Sequence, residues 1–474
     1  MSIDTINIPY TIDTIMDAGK LKLFESSPIP KAVISLAVPT VVSMIVTVLY
    51  NMVDTFFVGQ TGDPNQMAAV SIVTPVFLFF MAAGNIFGIG GASYTSRSLG
   101  EKKYERVKHI SSFCLYAGII TGILGALLML ACMTPLLHAV GTSENTFDFS
   151  RSYLTWIALG GPAIVTATLL TNLIRGEGSA KSSMVGMMAG TITNIILDPV
   201  FILKSFWGIP GLGMGVAGAA IATVLGNIVS IIVYFVHIIS KKSVLSIHFK
   251  YFSIHDGILR QVLSIGLPAS SVSVLMSLSN ILMNNMLVTY GDIPVASMGI
   301  AMKANMLAIF VQMGFAMGIQ PLIGFNFGAK NYRRMKDVMK FTAVCVFISG
   351  TILTIIYFIY SRPIVSFFIS DESVIEMGIT TLHALMCSTP LLGIMFVFSF
   401  SFQGMGKGKE ALTIAISRQG FIFLPCVILL NKFFQLRGLI YSQPIADIVS
   451  VAMSFVIFLH INKGLKTQEK AAAQ

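Results

Sequence analysis

Charge is scarce in this 474-residue chain: Asp, Glu, Lys and Arg make up 11% of it, against 55% hydrophobic residues and a mean hydropathy of +0.81. That composition excludes a soluble protein, because the apolar area exceeds what one core of this length buries. Cysteine is scarce too. All five (Cys114, Cys132, Cys345, Cys387 and Cys426) fall inside apolar stretches with no C-x-x-C spacing. This excludes a disulfide framework and a thiolate metal site, and leaves them as small packing residues. Enzyme signatures are missing as well, with no G-x-S-x-G, no H-E-x-x-H and no G-x-x-x-x-G-K-[ST]. Gly404-Met405-Gly406-Lys407-Gly408-Lys409 looks phosphate-binding at a glance, but it lacks the first Walker glycine and has a counterpart over residues 176–181. It reads as a tight turn between helices.

What is present is length without polarity. Twelve apolar runs cover residues 33–58, 67–96, 110–135, 152–174, 184–203, 213–240, 263–290, 295–327, 341–361, 378–402, 412–430 and 438–462. Most reach the roughly 20 residues that span a hydrocarbon layer, so the fold class is an all-α integral membrane protein with about 12 transmembrane helices. The first run follows a polar stretch and is too long for a signal-peptide core, so it reads as a retained helix. A net charge of +10 invites a nucleic-acid reading, but its distribution decides otherwise. Alternate inter-run segments, starting with the N-terminus, hold 24 of the 31 Lys and Arg, and the intervening loops hold five. The positive-inside rule then places both termini in the cytoplasm, so the basic charge reports topology and no nucleic-acid partner.

The polar punctuation occurs twice. Gly100-x-Lys102-x-Tyr104-x-Arg106-x-Lys108 returns 228 residues later as Gly328-x-Lys330-x-Tyr332-x-Arg334-x-Lys336, and the same shift maps Pro162 onto Pro390 and Gly176-x-Gly178 onto Gly404-x-Gly406. Pro39, Asn51 and Gly62-Asp63 match Pro268, Asn280 and Gly291-Asp292 at 229. A duplicated six-helix unit is the architecture of secondary transporters, with the substrate path between the halves. The expected organisation is a segment 1–32, an N-lobe 33–240, a linker 241–262, a C-lobe 263–462 and a tail 463–474. Without a nucleotide site, such a transporter draws on an ion gradient or equilibrates its substrate. Small residues at helical spacing, such as Gly84-x-x-x-Gly88 and Gly118-x-x-x-Gly122, suit close helix packing in lipid. Pro39 and Pro268, early in the opening helix of each half, predispose to kinks.

Charges inside the runs carry the most information, since each is costly at membrane depth unless paired or facing a wet cavity. Only three acids qualify: Asp54, Asp198 and Asp447. At about 1.5 Å per residue, Asp54 and Asp198 both sit ~7–9 Å below the outer surface and share a depth. Asn51 lies at i − 3 of Asp54, Asn194 at i − 4 of Asp198, and Thr223 in the sixth run reaches a comparable level. The repeat places Met283 opposite Asp54, so the acid is no scaffold feature. Two carboxylates in low dielectric cannot both ionise cheaply, which suits a proton-coupling site, and with Asn and Thr oxygens added the group suits Na⁺. Lys303 and Asp447 lie at equal depth with opposite sign, so they are expected to pair in the second half. Arg418, a few residues inside the eleventh run, is expected to snorkel to the cytoplasmic surface. The 27 Met and 34 Phe suit a wall that re-packs around varied apolar cations.

The duplicated halves, Asn51-x-x-Asp54, Arg175-Gly176-Glu177-Gly178 and Thr193-Asn194-Ile195-Ile196-Leu197-Asp198-Pro199 together resemble the multidrug and toxic compound extrusion (MATE) family over residues 30–462. Glu25-Ser26-Ser27-Pro28 and the Asn-Ile-Ile-Leu-Asp-Pro segment look closest to its bacterial DinF and MepA-like branch. The resemblance implies two six-helix bundles forming a V around a central cavity. It also implies a multidrug efflux antiporter that is no enzyme, binds no cofactor beyond its coupling ion, and exchanges amphipathic cationic small molecules for H⁺ or Na⁺. It implies a monomer in the bacterial cytoplasmic membrane, with Asp54, Asn194 and Asp198 as the ion-coupling site, Thr223 and Asn51 beside them, and Tyr153 in the substrate cavity next to that network. One departure is plain: the seventh run has no acid, unlike other branches. A lipid-linked oligosaccharide flippase of similar fold is the second reading and a membrane-embedded transferase the third. The first would need more cationic side chains in the cavity, and the second a His/Asp/Glu cluster at one membrane face.

Overall fold

Helices in both halves open on short polar side chains that cap their first turn. Asp63 caps the helix after it by accepting the Asn65 N–H at 2.9 Å, with Pro64 in the first turn where no N–H is needed. Asp371 caps its helix through Val374 N at 3.0 Å, and Asn331 caps through Arg334 N at 3.2 Å. The turns, by contrast, match between the halves. Lys102 and Lys330 both take a left-handed backbone, at φ 60° and 57°, and Gly178 and Gly406 do so at 88° and 79°. The two halves therefore share turn geometry as well as sequence.

The computed structural model describes residues 18–472 apart from 207–208 and 241–242. Residues 1–17 of the expected N-terminal segment, two residues of the expected linker and the last two of the tail lie outside the described residues. The first half comprises α1 Ala18–Glu25, α2 Ile29–Gly59, α3 Pro64–Gly100, α4 Tyr104–Ala131, α5 Met133–Ala139, α6 Glu144–Leu159, α7 Gly161–Gly176, α8 Ala180–Ile202 and α9 Val216–Ile239. The second comprises α10 Ile258–Val288, α11 Asp292–Gly328, α12 Tyr332–Ile359, α13 Ser361–Ser366, α14 Glu372–Cys387, α15 Thr389–Gly404, α16 Gly408–Ile416 and α17 Phe423–Ala472. A minute antiparallel hairpin between α8 and α9, pairing Ser205 with Pro210, is the one strand pair among the described residues.

Nine described helices are long and apolar enough to cross a membrane, and counting each bent pair, α6/α7 and α14/α15, as one span gives eleven. The twelfth pass arises at Gln435, whose φ of 51° and ψ of −134° break the Gly408–Leu465 stretch in two. The bends of 54° at Gly160 and 44° at Ser388 fall at matching positions of the repeat. Each bent pair was a single run in the sequence, because hydropathy carries no record of helix direction.

Packing gives the V. One apolar cluster fills the first half and takes in only the basic end of the second, through Val262, Ile319, Leu322, Phe325 and Ile414. The opposite end of the second half has its own cluster, built on Met283, Leu287, Ala301, Leu385 and Val427. The lobes are thus joined at one end and separately packed at the other. At the joined end the contact is backbone on backbone. A Cβ on Gly100 would lie 2.0 Å from the Phe325 carbonyl oxygen, and one on Gly328 would lie 2.1 Å from that of Arg97. These are the same contact seen from either side of the pseudo-twofold axis, and only glycine permits it.

Candidate functional site

The first half gathers its intramembrane acids where the lobes stand apart. On α8, Gly186, Gly190, Asn194 and Asp198 recur every four residues on the buried face. Gly190 lets α8 approach α9 until a Cβ on it would lie 2.4 Å from the Gly226 carbonyl oxygen. That crossing draws Asn194 and Asp198 into the lobe, at 2% and 0% exposure. With its amide oriented to satisfy both ends, Asn194 donates to Asp198 Oδ2 at 3.2 Å and accepts the Thr223 N–H at 3.0 Å. The Thr223 hydroxyl lies 3.2 Å from the Tyr50 hydroxyl on α2, one turn before Asp54. Tyr153 on α6 is buried and, like Tyr50, lies within electrostatic reach of both Asp54 and Asp198.

The cluster is therefore two acids surrounded by neutral hydroxyl and amide groups. Asp54 and Asp198 feel each other's charge, and no Lys, Arg or His pairs with either among the described residues. Asp54 Oδ1 is sealed from solvent with no hydrogen-bond partner. A bare carboxylate oxygen in that position is costly unless a proton or a cation meets it. No group of three or more His, Cys, Asp or Glu converges anywhere among the described residues, so any cation here would share carboxylate, amide and hydroxyl oxygens.

The structure brings Asp54, Asn194, Asp198, Thr223 and Tyr153 together. It leaves Asn51 outside, with its side chain exposed and only its carbonyl engaged, accepting Thr55 Oγ1 at 2.8 Å. The residue sequence reasoning missed is Tyr50. Its i − 4 spacing from Asp54, which puts it on the same helix face, was the available signal.

In the second half the expected Lys303–Asp447 pair does not form. Lys303 is exposed, while Asp447 is 2% exposed and takes Arg418 Nε at 2.7 Å, Gln443 Nε2 at 2.9 Å and Ser388 Oγ at 3.0 Å. Arg418 correspondingly does not snorkel; it is 8% exposed. Equal depth fixes position along the membrane normal and says nothing about which face of a helix a residue occupies. A π-helical turn at Ser417–Phe421 carries Arg418, a departure no periodicity predicts.

A second polar node lies in the turn between α7 and α8. Buried Glu177 accepts from Lys20 at 3.2 Å, Ser179 Oγ at 2.7 Å, Ser243 Oγ at 2.9 Å and Val244 N at 3.0 Å, and lies 2.8 Å from His237 Nε2. It ties α1 and the inter-lobe linker to the first half. The other side of α1 belongs to the second half: Phe24 stacks on Phe325 at 4.8 Å, and Arg334 donates to the Phe24 carbonyl at 2.8 Å and the Ser27 carbonyl at 2.7 Å. Helix α1 is thus a clasp across the joined end of the V.

Comparison with known proteins agrees with this geometry. The MatE family model matches residues 39–200 and 268–429, one copy per half, each starting at a proline of the repeat. Multidrug export protein MepA of Staphylococcus saprophyticus is 30% identical over 456 residues, 96% of this chain and 99% of the relative. The protein of the same name from Staphylococcus aureus strain N315 is 32% identical over 445 residues, covering 94% and 97%. A MATE crystal structure in complex with MaD3S superposes with a TM-score of 0.89 at 25% identity, covering 95% of this chain and all of that one. The chain belongs to the MatE family and is a multi-pass membrane transporter, not an enzyme.

Proposed function

We propose that this chain exports amphipathic organic cations from a bacterial cytoplasm, taking up external H⁺ or Na⁺ in exchange, as its lobes (residues 33–240 and 263–462) alternate in the side they open to. It works as a monomer in the inner membrane with both termini cytoplasmic. The name shared by its relatives, multidrug export protein, supports the substrate class. The concentration of 24 of the 31 basic residues in alternate inter-run segments, the N-terminal one first, supports the orientation.

The observation that carries the proposal is Asp54 Oδ1, sealed and without a donor beside a second buried acid. A proton or a Na⁺ arriving from the splayed end relieves that oxygen. Asp198, Asn194, Thr223 and Tyr50 supply the hard oxygen donors a Na⁺ needs. Once the ion is bound, the negative charge that holds a cationic substrate in the same lobe is gone. Ion and substrate then exclude one another, and each favours a different state of the lobes. That mutual exclusion is what exchange requires.

The test is transport by the purified protein in proteoliposomes under an imposed ΔpH or ΔNa⁺. Addition of a cationic dye to the appropriate side should move protons, or Na⁺, in the opposite direction. Dye movement that is indifferent to both gradients would sink the exchange reading.

A further inference from the structure

The inter-lobe linker leaves the Glu177 node and runs along α4, to which its backbone is fastened step by step. Ser111 Oγ accepts the Ser246 N–H at 2.9 Å, Tyr116 donates to the Ile247 carbonyl at 2.8 Å, and Ser112 donates to the His248 carbonyl at 3.0 Å. His109 Nδ1 lies 2.7 Å from the Tyr251 carbonyl oxygen. The linker therefore has a fixed course here, and the tight turn Phe249–Tyr251 leaves Phe249 and Lys250 exposed.

Helix α4 gives the depth of that turn. Tyr116, Ile120, Ile123 and Leu127 follow one another at helical spacing, and from Ile120 onward they are exposed apolar side chains on a membrane-spanning helix, so this face meets lipid. Phe249 extends the face toward the linker. Its ring meets Tyr116 edge-on at 5.2 Å, stacks on Phe252 at 5.7 Å, and remains 68% exposed. At about 1.5 Å per residue, Lys108 lies roughly 12 Å nearer the start of α4 than Tyr116 does. The turn thus straddles the level where acyl chains give way to headgroups, with its aromatic side against the apolar face and its basic side beyond it.

Two ammonium groups converge on one ring at that level. Lys108 Nζ lies 5.3 Å and Lys250 Nζ 4.9 Å from the centre of the Tyr251 ring. Lys108 pairs with exposed Glu105 at 2.7 Å, whereas exposed Lys250 pairs with no acid among the described residues. Lys103 and Arg106, on the same side of the molecule, both pair with Glu101. Two cations against one carboxylate leave one positive charge beside an exposed aromatic ring. That combination complements a phosphodiester, which carries one negative charge, joined to an acyl chain.

We propose that the linker turn Phe249–Tyr251 and the start of α4 form a binding site for an anionic phospholipid, with Lys250 and Lys108 on its phosphate and Phe249 against its acyl chains. A lipid held there pins the segment that joins the two lobes to the membrane surface. The inference needs the membrane-spanning fold and not the exchange reading.

The experiment places a reporter in the site. Full-length protein carrying Phe249→Trp is reconstituted into vesicles whose phospholipids are brominated near the headgroup end of the acyl chain, and quenching of its fluorescence is measured. The contribution of the two native Trp is subtracted with the unsubstituted protein. Brominated phosphatidylglycerol diluted in plain phosphatidylcholine, and the reverse mixture, give the relative affinity for the anionic headgroup. Phosphatidylglycerol should be preferred about fivefold or more, and the preference should fall to near unity when Lys108→Gln and Lys250→Gln are added. Equal quenching by both lipids, or quenching by neither, overturns the site. A preference that survives the loss of both lysines belongs to the basic surface at large and overturns it equally. Should the variant lacking both lysines not fold, Lys250→Gln alone decides, because that exposed side chain has no acid partner to lose; an unchanged preference there overturns the proposal.

Discussion

Lys20 on α1 lies 3.2 Å from Glu177 in the turn between α7 and α8, and so fastens the clasp helix to the first lobe. Burial alone would push the Glu177 carboxyl up, but the His237 hydrogen bond, the charges of Lys20 and His237 and the Ser179 hydroxyl outweigh it and hold it at about 2. A carboxyl held below its ordinary value contributes stability above that ordinary value, near 4.5, and loses it as pH falls toward 2. The contribution is roughly 3 kcal/mol, by the constant relating pKa to free energy. Thermal unfolding in detergent should therefore be insensitive to this group from neutral pH down to about 5 and fall steeply below that. In Glu177→Gln the neutral-pH midpoint should drop and the acid-side loss should flatten. A variant with the unsubstituted protein's acid profile would show that Glu177 carries no such charge.

The second buried ion pair makes a different prediction. Arg418 and Asp447 compensate one another out of water, so removing one leaves the other unpaired at a cost of about 3–5 kcal/mol. Asp447→Leu should destabilise by that order, and Arg418→Met with Asp447→Leu together should recover most of the loss. Lys303→Met, on an exposed side chain, should change stability by less than about 0.5 kcal/mol. Additive losses from Arg418 and Asp447, or a large loss from Lys303, would contradict the observed pairing.

What was legible in the sequence follows from what membranes constrain. Hydrocarbon length forces long apolar runs, so an all-helical membrane fold of about twelve passes was readable from hydropathy alone. The repeat was readable because turns need particular residues, as the left-handed Lys102 and Lys330 show. Asp54, Asn194 and Asp198 were readable because acids are rare at that depth, and spacing put Asn194 and Asp198 on one face. Partner choice was not readable. Depth could not tell that Lys303 faces outward, nor that a π-turn swings Arg418 inward onto Asp447. The clasp was not readable because Lys20 and Glu177 are 157 residues apart and nothing in either segment names its partner.

The joined end of the V predicts its own sensitivity. A Cβ on Gly328 would meet the Arg97 carbonyl oxygen at 2.1 Å, a backbone atom that cannot turn aside. Gly328→Ala should therefore disfavour the state in which this end is closed, whereas Ala at Gly464, where nothing lies within 4 Å, should not. Distances between spin labels placed on the 101–103 and 329–331 turns would read this. The Gly328→Ala protein should show a longer-distance population that the Gly464→Ala protein lacks. Identical distributions would mean that the closed end has slack that the backbone contact does not suggest.

The decisive prediction concerns the two acids of the first lobe. Asp54 and Asp198 are held by separate helices, α2 and α8, and meet through Asn194, Thr223 and Tyr50. If a proton or Na⁺ at this group is what expels the substrate, Asp54→Asn is fixed in the neutral form and has nothing to release. It should insert and fold normally, since the amide removes a half-buried charge that has no basic partner among the described residues. Its gradient-driven dye export should fall at least tenfold, and Asp198→Asn should behave nearly alike. Asp447→Asn, whose acid is fully satisfied by three donors, should lose stability while the exchange stoichiometry of the surviving protein stays unchanged. The measurement is dye transport in proteoliposomes under imposed ΔpH and ΔNa⁺, normalised to the amount of folded protein. Export at the unsubstituted rate by both Asp54→Asn and Asp198→Asn would place coupling elsewhere in the chain. Residual export that has become independent of the gradient would instead mean that these acids couple the ion to the substrate without being needed to bind it.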